Sequence, residues 1–340
     1  TMSKSLGLAT KSEKKKYSTE ELSIECLKPS TIIPADPWVH SFWPCVTNHR
    51  NQKQRLIFVM RSAERIDRVF GADWLDTEYT HGKLKPTDQN IPGAIRKFLP
   101  HTHFDFDPPI TAMGKYTSQF VALAMVNRGC APRRIVCAPA LRCVQTAAAM
   151  AETLGVRFGI EYGLAEPQSW FASGSNTSLA PSYISEEKLS SLGFPVDTKY
   201  LPIITAHALK KRREEVEAVG RERIDFVLRY LGTMEHGNGP LLVVGHALTL
   251  AIATDFAEKK EEEDDITSYE GEHGGCKSAP TSHAEARAVD VLDLGLRFPY
   301  GAVVSLAIAN TTVPHRYRIC RNLIPPLTFG RYFCSKPVLD

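Results

Sequence analysis

No apolar run in this sequence approaches the roughly 20 residues that a bilayer-crossing helix requires. The longest, Pro240–Gly245 and Ala302–Ala309, have strand length, so no membrane insertion is expected. The chain also lacks a CxxC pair and any Cys/His cluster at zinc spacing. Its 8 cysteines, spread over 340 residues, read as reduced thiols rather than a disulfide framework or a metal site. No N-terminal apolar segment of the signal-peptide kind is present, which makes the expected address cytoplasmic or nuclear and the sequons at Asn176 and Asn310 chance matches. Thr1 ahead of Met2 reads as an extra residue before an initiator and carries no weight in the fold. No internal repeat is visible. Charge of one sign is not in surplus either: 41 Lys+Arg against 38 Asp+Glu gives +3. Nucleic acid is therefore not an expected partner, and any preference for anions has to be local.

What is present divides the chain. Residues 1–30 are polar, without a sustained apolar period, and read as a mobile tail. Residues 31–54 set Trp38, Phe42 and Trp43 among prolines, as in an arm packed on the core or a contact surface. From 55 to 322, strand-length apolar runs alternate with helical periods, the pattern of an α/β domain. Leu56–Met60 is its first strand. Thr111 caps a helical pattern over Lys115–Arg128 that Gly129 closes, with Phe120, Leu123, Ala124 and Val126 expected on the buried face. Arg134–Ala138 is the second strand, followed after Pro139 by a helix over Leu141–Leu154 that Gly155 ends.

A charged helix is expected over Lys210–Leu231. Val216, Val219, Ile224, Val227 and Leu228 make its apolar side, and Glu214, Glu215 and Glu217 interleave with Lys and Arg as a solvated face. Pro240–Gly245 reads as a buried parallel strand that ends on His246, before the helical run Ala247–Ala257. An acidic insert of about 258–282 reads as disordered. Core signal returns with Val289–Leu296 and the strands Ala302–Ala309 and His315–Ile319, and 323–340 forms a C-terminal tail. His101 and His103 read as solvated loop histidines, because no third ligand lies at a useful spacing; no metal and no cofactor is expected.

Three strand ends then carry what an anion wants. Arg61 and Arg65 follow the first strand, Arg142 follows the second, and His246 follows the Pro240–Gly245 strand. Guanidinium groups match phosphate oxygens, and the helix starts beside Arg142 and His246 add oriented N–H donors. Taken singly, Arg61 or Arg65 with Glu64 reads equally as a structural ion pair, Arg142 as a helix-surface residue and His246 as a core histidine. Their joint placement at the carboxyl edge of one sheet favours a ligand site.

The segment Arg61-Ser62-Ala63-Glu64-Arg65, with Val69-Phe70-Gly71 and Trp74 behind it, resembles the Arg-His-Gly-Glu-Arg motif of the histidine phosphatase superfamily, formerly grouped with phosphoglycerate mutase. Pro109-Ile110-Thr111 with Gly114, Cys137 to Ala147, Val196 to Tyr200, and Gly245-His246-Ala247 follow in that family's order. Within it the text is similar to the suppressor of T-cell receptor signalling and ecdysteroid-phosphate phosphatase branch. The resemblance implies a three-layer fold with a mostly parallel central sheet and helices on both faces, and a homodimer. It also implies phosphoryl transfer through a phosphohistidine, with Arg61, Arg65, Arg142 and His246 as phosphate ligands and Glu166 as the acid. The nucleophile position holds Ser62, which cannot form the labile nitrogen–phosphorus bond and is weakly nucleophilic without an activating base. Ala63 replaces the motif's glycine, and its Cβ is expected to crowd the pocket. The implied function is a pseudophosphatase that binds phosphate or a phosphorylated ligand and serves as a binding or scaffolding module, with a protein partner in play. The alternative is a phosphomonoesterase that works without the phosphohistidine.

Overall fold

Leu56, Ile57, Phe58, Val59 and Met60 are all buried in the computed structural model. Successive strand residues point to opposite faces, so this strand is covered on both sides. The structure describes residues 55–80, 83–98, 104, 107–171, 182–212, 214–234, 239–256, 290–308, 316–329 and 333–339. The expectations for 1–30, 31–54, the insert of about 258–282, and His101 and His103 lie outside the described residues.

The main elements are β1 (Arg55–Arg61), α1 (Ala112–Asn127), β2 (Arg134–Cys137), α2 (Leu141–Leu154), β3 (Phe158–Ile160), α3 (Glu217–Thr233), β4 (Leu241–Gly245), α4 (247–256), α5 (Val291–Arg297), β5 (Val303–Ile308), β6 (Tyr317–Ile319), β7 (Thr328–Phe329) and β8 (Phe333–Cys334). Six of the strands form one sheet in the order β3-β2-β4-β1-β5-β6. Pairing is parallel from β3 through β2 and β4 to β1 and antiparallel from β1 to β5 and β6. This is the expected α/β architecture with a mostly parallel central sheet. Among the described residues no helix is long and apolar enough to cross a membrane.

Helix boundaries follow the punctuation of the sequence. Thr111 accepts the Gly114 N–H at 2.9 Å as the N-cap of α1. Gly155 ends α2 in the left-handed conformation at φ 66°, where a Cβ would be strained. The buried face of α1 is not the expected one: Phe120, Leu123 and Val126 are exposed, and Gly114, Ser118, Val121, Ala122 and Met125 face inward. The reason is steric. Any Cβ on Gly114 would meet the Glu64 carbonyl at 3.0 Å and the Ala63 Cβ at 3.3 Å, so the small-residue row, not the bulky one, is the face that can sit this close.

Three other expectations change. The helix foreseen over Lys210–Leu231 is two, Ala206–Lys210 and α3, because Glu215 leaves the helical path to pair with Arg223. Those two side chains are each 1% exposed, so this part of the charge pattern is core rather than solvated face. The apolar letters of Val289–Leu296 form α5, in which Leu294 is buried while Val291, Leu292 and Leu296 are exposed. Beyond residue 322, β7 and β8 pair as a hairpin and the Val338 N–H donates to the Arg297 carbonyl at 2.8 Å.

Candidate functional site

Parallel pairing determines where the functional side chains emerge. Arg61 lies in register with Gly245, and Cys137 with Val244, so β1, β2 and β4 end side by side. Backbone bonds carry the alignment past the strand ends: Ser62 N–H to Gly245 O and Ala138 N–H to Val244 O, both 2.9 Å. Arg142 then sits in the first turn of α2, and the His246 N–H donates to Thr249 Oγ1 at 3.1 Å at the start of α4. The result is one cavity of about 610 Å³ whose wall includes Arg61, Ser62, Arg65, Arg142, Glu166 and His246. All six residues singled out in the sequence meet there.

At its centre is Arg142, 4% exposed. Its Nη2 donates to Glu166 Oε2 at 2.5 Å and to His246 Nδ1 at 3.2 Å, and its Nη1 lies 3.5 Å from Asp107 Oδ1. An arginine only donates, so His246 Nδ1 must accept and the imidazole proton sits on Nε2. Burial drives His246 well below the usual imidazole range against the pull of Glu166, and the guanidiniums of Arg142, Arg65 and Arg61 add to the lowering. Burial works the other way on Glu166, but His246 and the same three arginines hold its carboxyl well below the carboxylate range. Glu166 is therefore an anion at neutral pH and His246 a neutral donor. Burial lifts Asp107, which accepts the Leu141 N–H at 2.8 Å, to about 7 against the charge of Arg142.

One measurement checks the histidine. Its folded pKa lies below its unfolded value, so the unfolded chain takes up a proton that the folded chain refuses. The contribution of His246 to stability is complete above about pH 6.5 and declines as pH falls below that value. Long-range ¹H–¹⁵N spectra are expected to show the His246 ring unprotonated across pH 5–8; a titration midpoint near 6.5 would contradict this geometry.

The other arginines are held at the cavity wall by different partners. Arg65 grips Asp67 through Nε and Nη2 at 2.9 and 2.6 Å. Arg61 donates to the Gly295 carbonyl at 3.0 Å and to the Phe298 carbonyl, and lies 4.0 Å over the Tyr300 ring. Glu64, weighed as their ion-pair partner, instead accepts the Thr111 hydroxyl at 2.7 Å. Ala63 does not crowd the cavity: it is buried, and its Cβ faces Gly114. Its N–H donates to Thr146 Oγ1 at 3.0 Å, and that hydroxyl donates to the Arg142 carbonyl at 2.7 Å. The Cys143 thiol donates to the Gly245 carbonyl at 3.5 Å and lies 3.8 Å from His246 Nε2.

A model of the histidine phosphatase superfamily, branch 1, matches residues 102–268. The match places a histidine phosphatase superfamily domain in that stretch, just under half of the chain. The matched stretch of this histidine phosphatase domain contains Arg142, Glu166 and His246 and begins after Ser62. The chain is 30% identical over 219 residues to the ecdysteroid-phosphate phosphatase of Drosophila melanogaster, covering 62% of this chain and 28% of the relative. It is 31% identical over 207 residues to the human ubiquitin-associated and SH3 domain-containing protein A, covering 59% and 31%. The chain thus spans less than a third of the length of these relatives. Among solved structures, the ecdysone phosphate phosphatase of the silkworm in complex with tungstate overlays with a TM-score of 0.57 at 21% identity, covering 82% of this chain and 98% of that one, which shows the shared fold.

Sequence reasoning missed several parts of this cavity. Asp107 behind Arg142 has no periodic or spacing signal. Trp170, Leu292, Leu296, Tyr300 and Phe333 add an apolar wall, assembled from segments that lie far apart in the chain. Five cysteines among the described residues are free, four of them buried and Cys334 exposed at the cavity mouth. No cluster of metal-ligating side chains occurs among the described residues.

Proposed function

We propose that this domain binds a phosphoryl group in the strand-end cavity without hydrolysing it, and that it acts as a binding or scaffolding module. The observation that carries the reading is Ser62 at the end of β1, in the motif position of the family's histidine, facing a cluster in which Arg142, His246 and Glu166 are gathered. A serine hydroxyl needs a base to become a nucleophile, and the nearby Cys143 thiol, whose pKa burial pushes up to about 12, does not supply one. Arg142 and the Nε2–H of His246 supply donors for phosphoryl oxygens, and Arg61 and Arg65 are near enough to join them. The apolar wall suits a phosphomonoester with a bulky apolar body, in keeping with the ecdysteroid phosphate in the name of the fly relative. A homodimer as the assembly belongs to the same proposal.

Calorimetric titration with inorganic phosphate is expected to show binding, and p-nitrophenyl phosphate and phosphotyrosine peptides are expected to be left intact. One observation favours the second reading, a phosphomonoesterase using direct water attack: the Glu166 carboxylate, an anion at neutral pH on the cavity wall, can accept a proton. Turnover that vanishes in His246→Ala and Arg142→Ala would establish that reading instead.

Glu166 sits where it opposes an incoming anion, its carboxylate bonded to the guanidinium that phosphate needs. Glu166→Gln removes the charge and keeps the shape. It is expected to tighten phosphate binding about tenfold, ~1.4 kcal/mol, in the same titration; weaker binding would mean that Glu166 assists the ligand.

A further inference from the structure

Glu166 belongs to no regular element. It lies between two short 3-10 turns, Tyr162–Leu164 and Gln168–Phe171, so its position has to be set from outside the loop. The side chain that does this is Arg223 of α3. Its Nη1 donates to the carbonyls of Gly163 at 2.7 Å and Ala165 at 3.0 Å, just ahead of Glu166. Its Nε and Nη2 donate to the two carboxylate oxygens of Glu215 at 2.8 and 2.7 Å. The far side of the loop is tied to the same neighbourhood: Ser169 N–H donates to the Glu215 carbonyl at 3.2 Å.

We propose that Arg223, neutralised by Glu215, is a positioning residue that holds the Glu166 carboxylate on Arg142 and so sets the phosphate affinity of the cavity. A buried ion pair contributes little net stability, and an apolar pair of similar volume often replaces it without loss. What an apolar pair cannot supply is donors for the Gly163 and Ala165 carbonyls, which sit in a buried stretch of chain and need partners. Arg223 meets that need at the residues that precede Glu166, alongside the Glu161 carboxylate that accepts the Gly163 N–H at 2.9 Å and the Gln168 amide that donates to the Glu166 carbonyl at 3.3 Å. The proposal rests on the reading that the cavity binds phosphate.

A double-mutant cycle separates the two ideas. Phosphate is titrated into the full chain as wild type, Glu166→Gln, the paired replacement Arg223→Met with Glu215→Leu, and the triple variant. With the loop released, Arg142 is freed from Glu166, so the paired replacement is expected to tighten phosphate binding three- to tenfold, and to change nothing further once Glu166 is glutamine. An equal shift in both backgrounds, or no shift, overturns the positioning role, because a general structural effect would not depend on the charge at 166. Wild-type chain that fails to bind phosphate overturns the parent reading instead. Should the paired variant show no cooperative melt, Arg223→Lys takes its place. The lysine keeps the charge beside Glu215 but cannot serve a carboxylate and two carbonyls together; wild-type affinity in that variant would also reject the proposal.

Discussion

Replacing Arg142 by methionine is expected to reduce phosphate affinity by at least 100-fold, about 2.7 kcal/mol, and to destabilise the fold by about 3–5 kcal/mol at neutral pH. The two losses have one origin. Arg142 is the buried cation on which Glu166 converges at 2.5 Å, with Asp107 at 3.5 Å behind it. Without it, the Asp107 and Glu166 carboxyl groups lose the cation that both approach in a largely buried setting, and an arriving phosphate finds that charge instead of a guanidinium. Asp107 escapes part of the penalty because burial already raises it to about 7, so it can be neutral near physiological pH. Glu166 does not, since arginine charge and His246 hold it low in the wild type. A depressed carboxyl adds stability above its unfolded pKa, and that stability is lost as pH falls. Urea denaturation should therefore show the wild type and the variant converging below about pH 4. Phosphate binding within threefold of wild type would rule out Arg142 as the centre of the site.

Ser62→His is expected to raise hydrolysis of an aryl phosphate about 100-fold or more above the wild-type chain, ~2.7 kcal/mol or more of barrier. Ser62 lines the cavity wall, so a larger side chain in its place has that space to enter. An imidazole there would meet a phosphoryl group bound by Arg142 and His246, and the acid-labile phosphohistidine can be trapped by quenching in base. Adding Ala63→Gly should not help: the Ala63 Cβ faces Gly114 rather than the cavity, so the change contributes only the cost of a more flexible backbone, roughly 0.5–1 kcal/mol. Phosphate binding without turnover in Ser62→His would mean that the cavity lacks more than a nucleophile, and the position of Arg61 would be the first place to look.

The contrast between α1 and α2 shows what could be read in advance. Helix α2 matched residue for residue, Leu141–Leu154, because Pro139 resists a helix interior and Gly155 readily takes the left-handed turn that ends one. Helix α1 was recognisable as a helix but not in its orientation. It is apolar nearly all round, so periodicity cannot choose a face, and close approach to Glu64 decided for the small residues. Helix α5 misled through composition: Val291, Leu292 and Leu296 look like core, yet at 3.6 residues per turn only Leu294 points inward. The site was legible where a residue's position is set by a strand end, as for Arg142 and His246. It was not legible where a long side chain chooses among distant partners. Arg61 takes carbonyls more than 230 residues away, and nothing local distinguishes Glu215 and Arg223 from their solvated neighbours.

The Thr146 hydroxyl links the peptide N–H that follows Ser62 to the carbonyl of Arg142, and neither end of that link is the side chain of residue 62. The span between the strand end and the anion cluster is thus written in main chain and one threonine, indifferent to which side chain stands at 62. On the proposed reading, recognition and reactivity are separable parts: a lineage could lose the reacting atom in a single codon change and keep the receptor for its ligand intact.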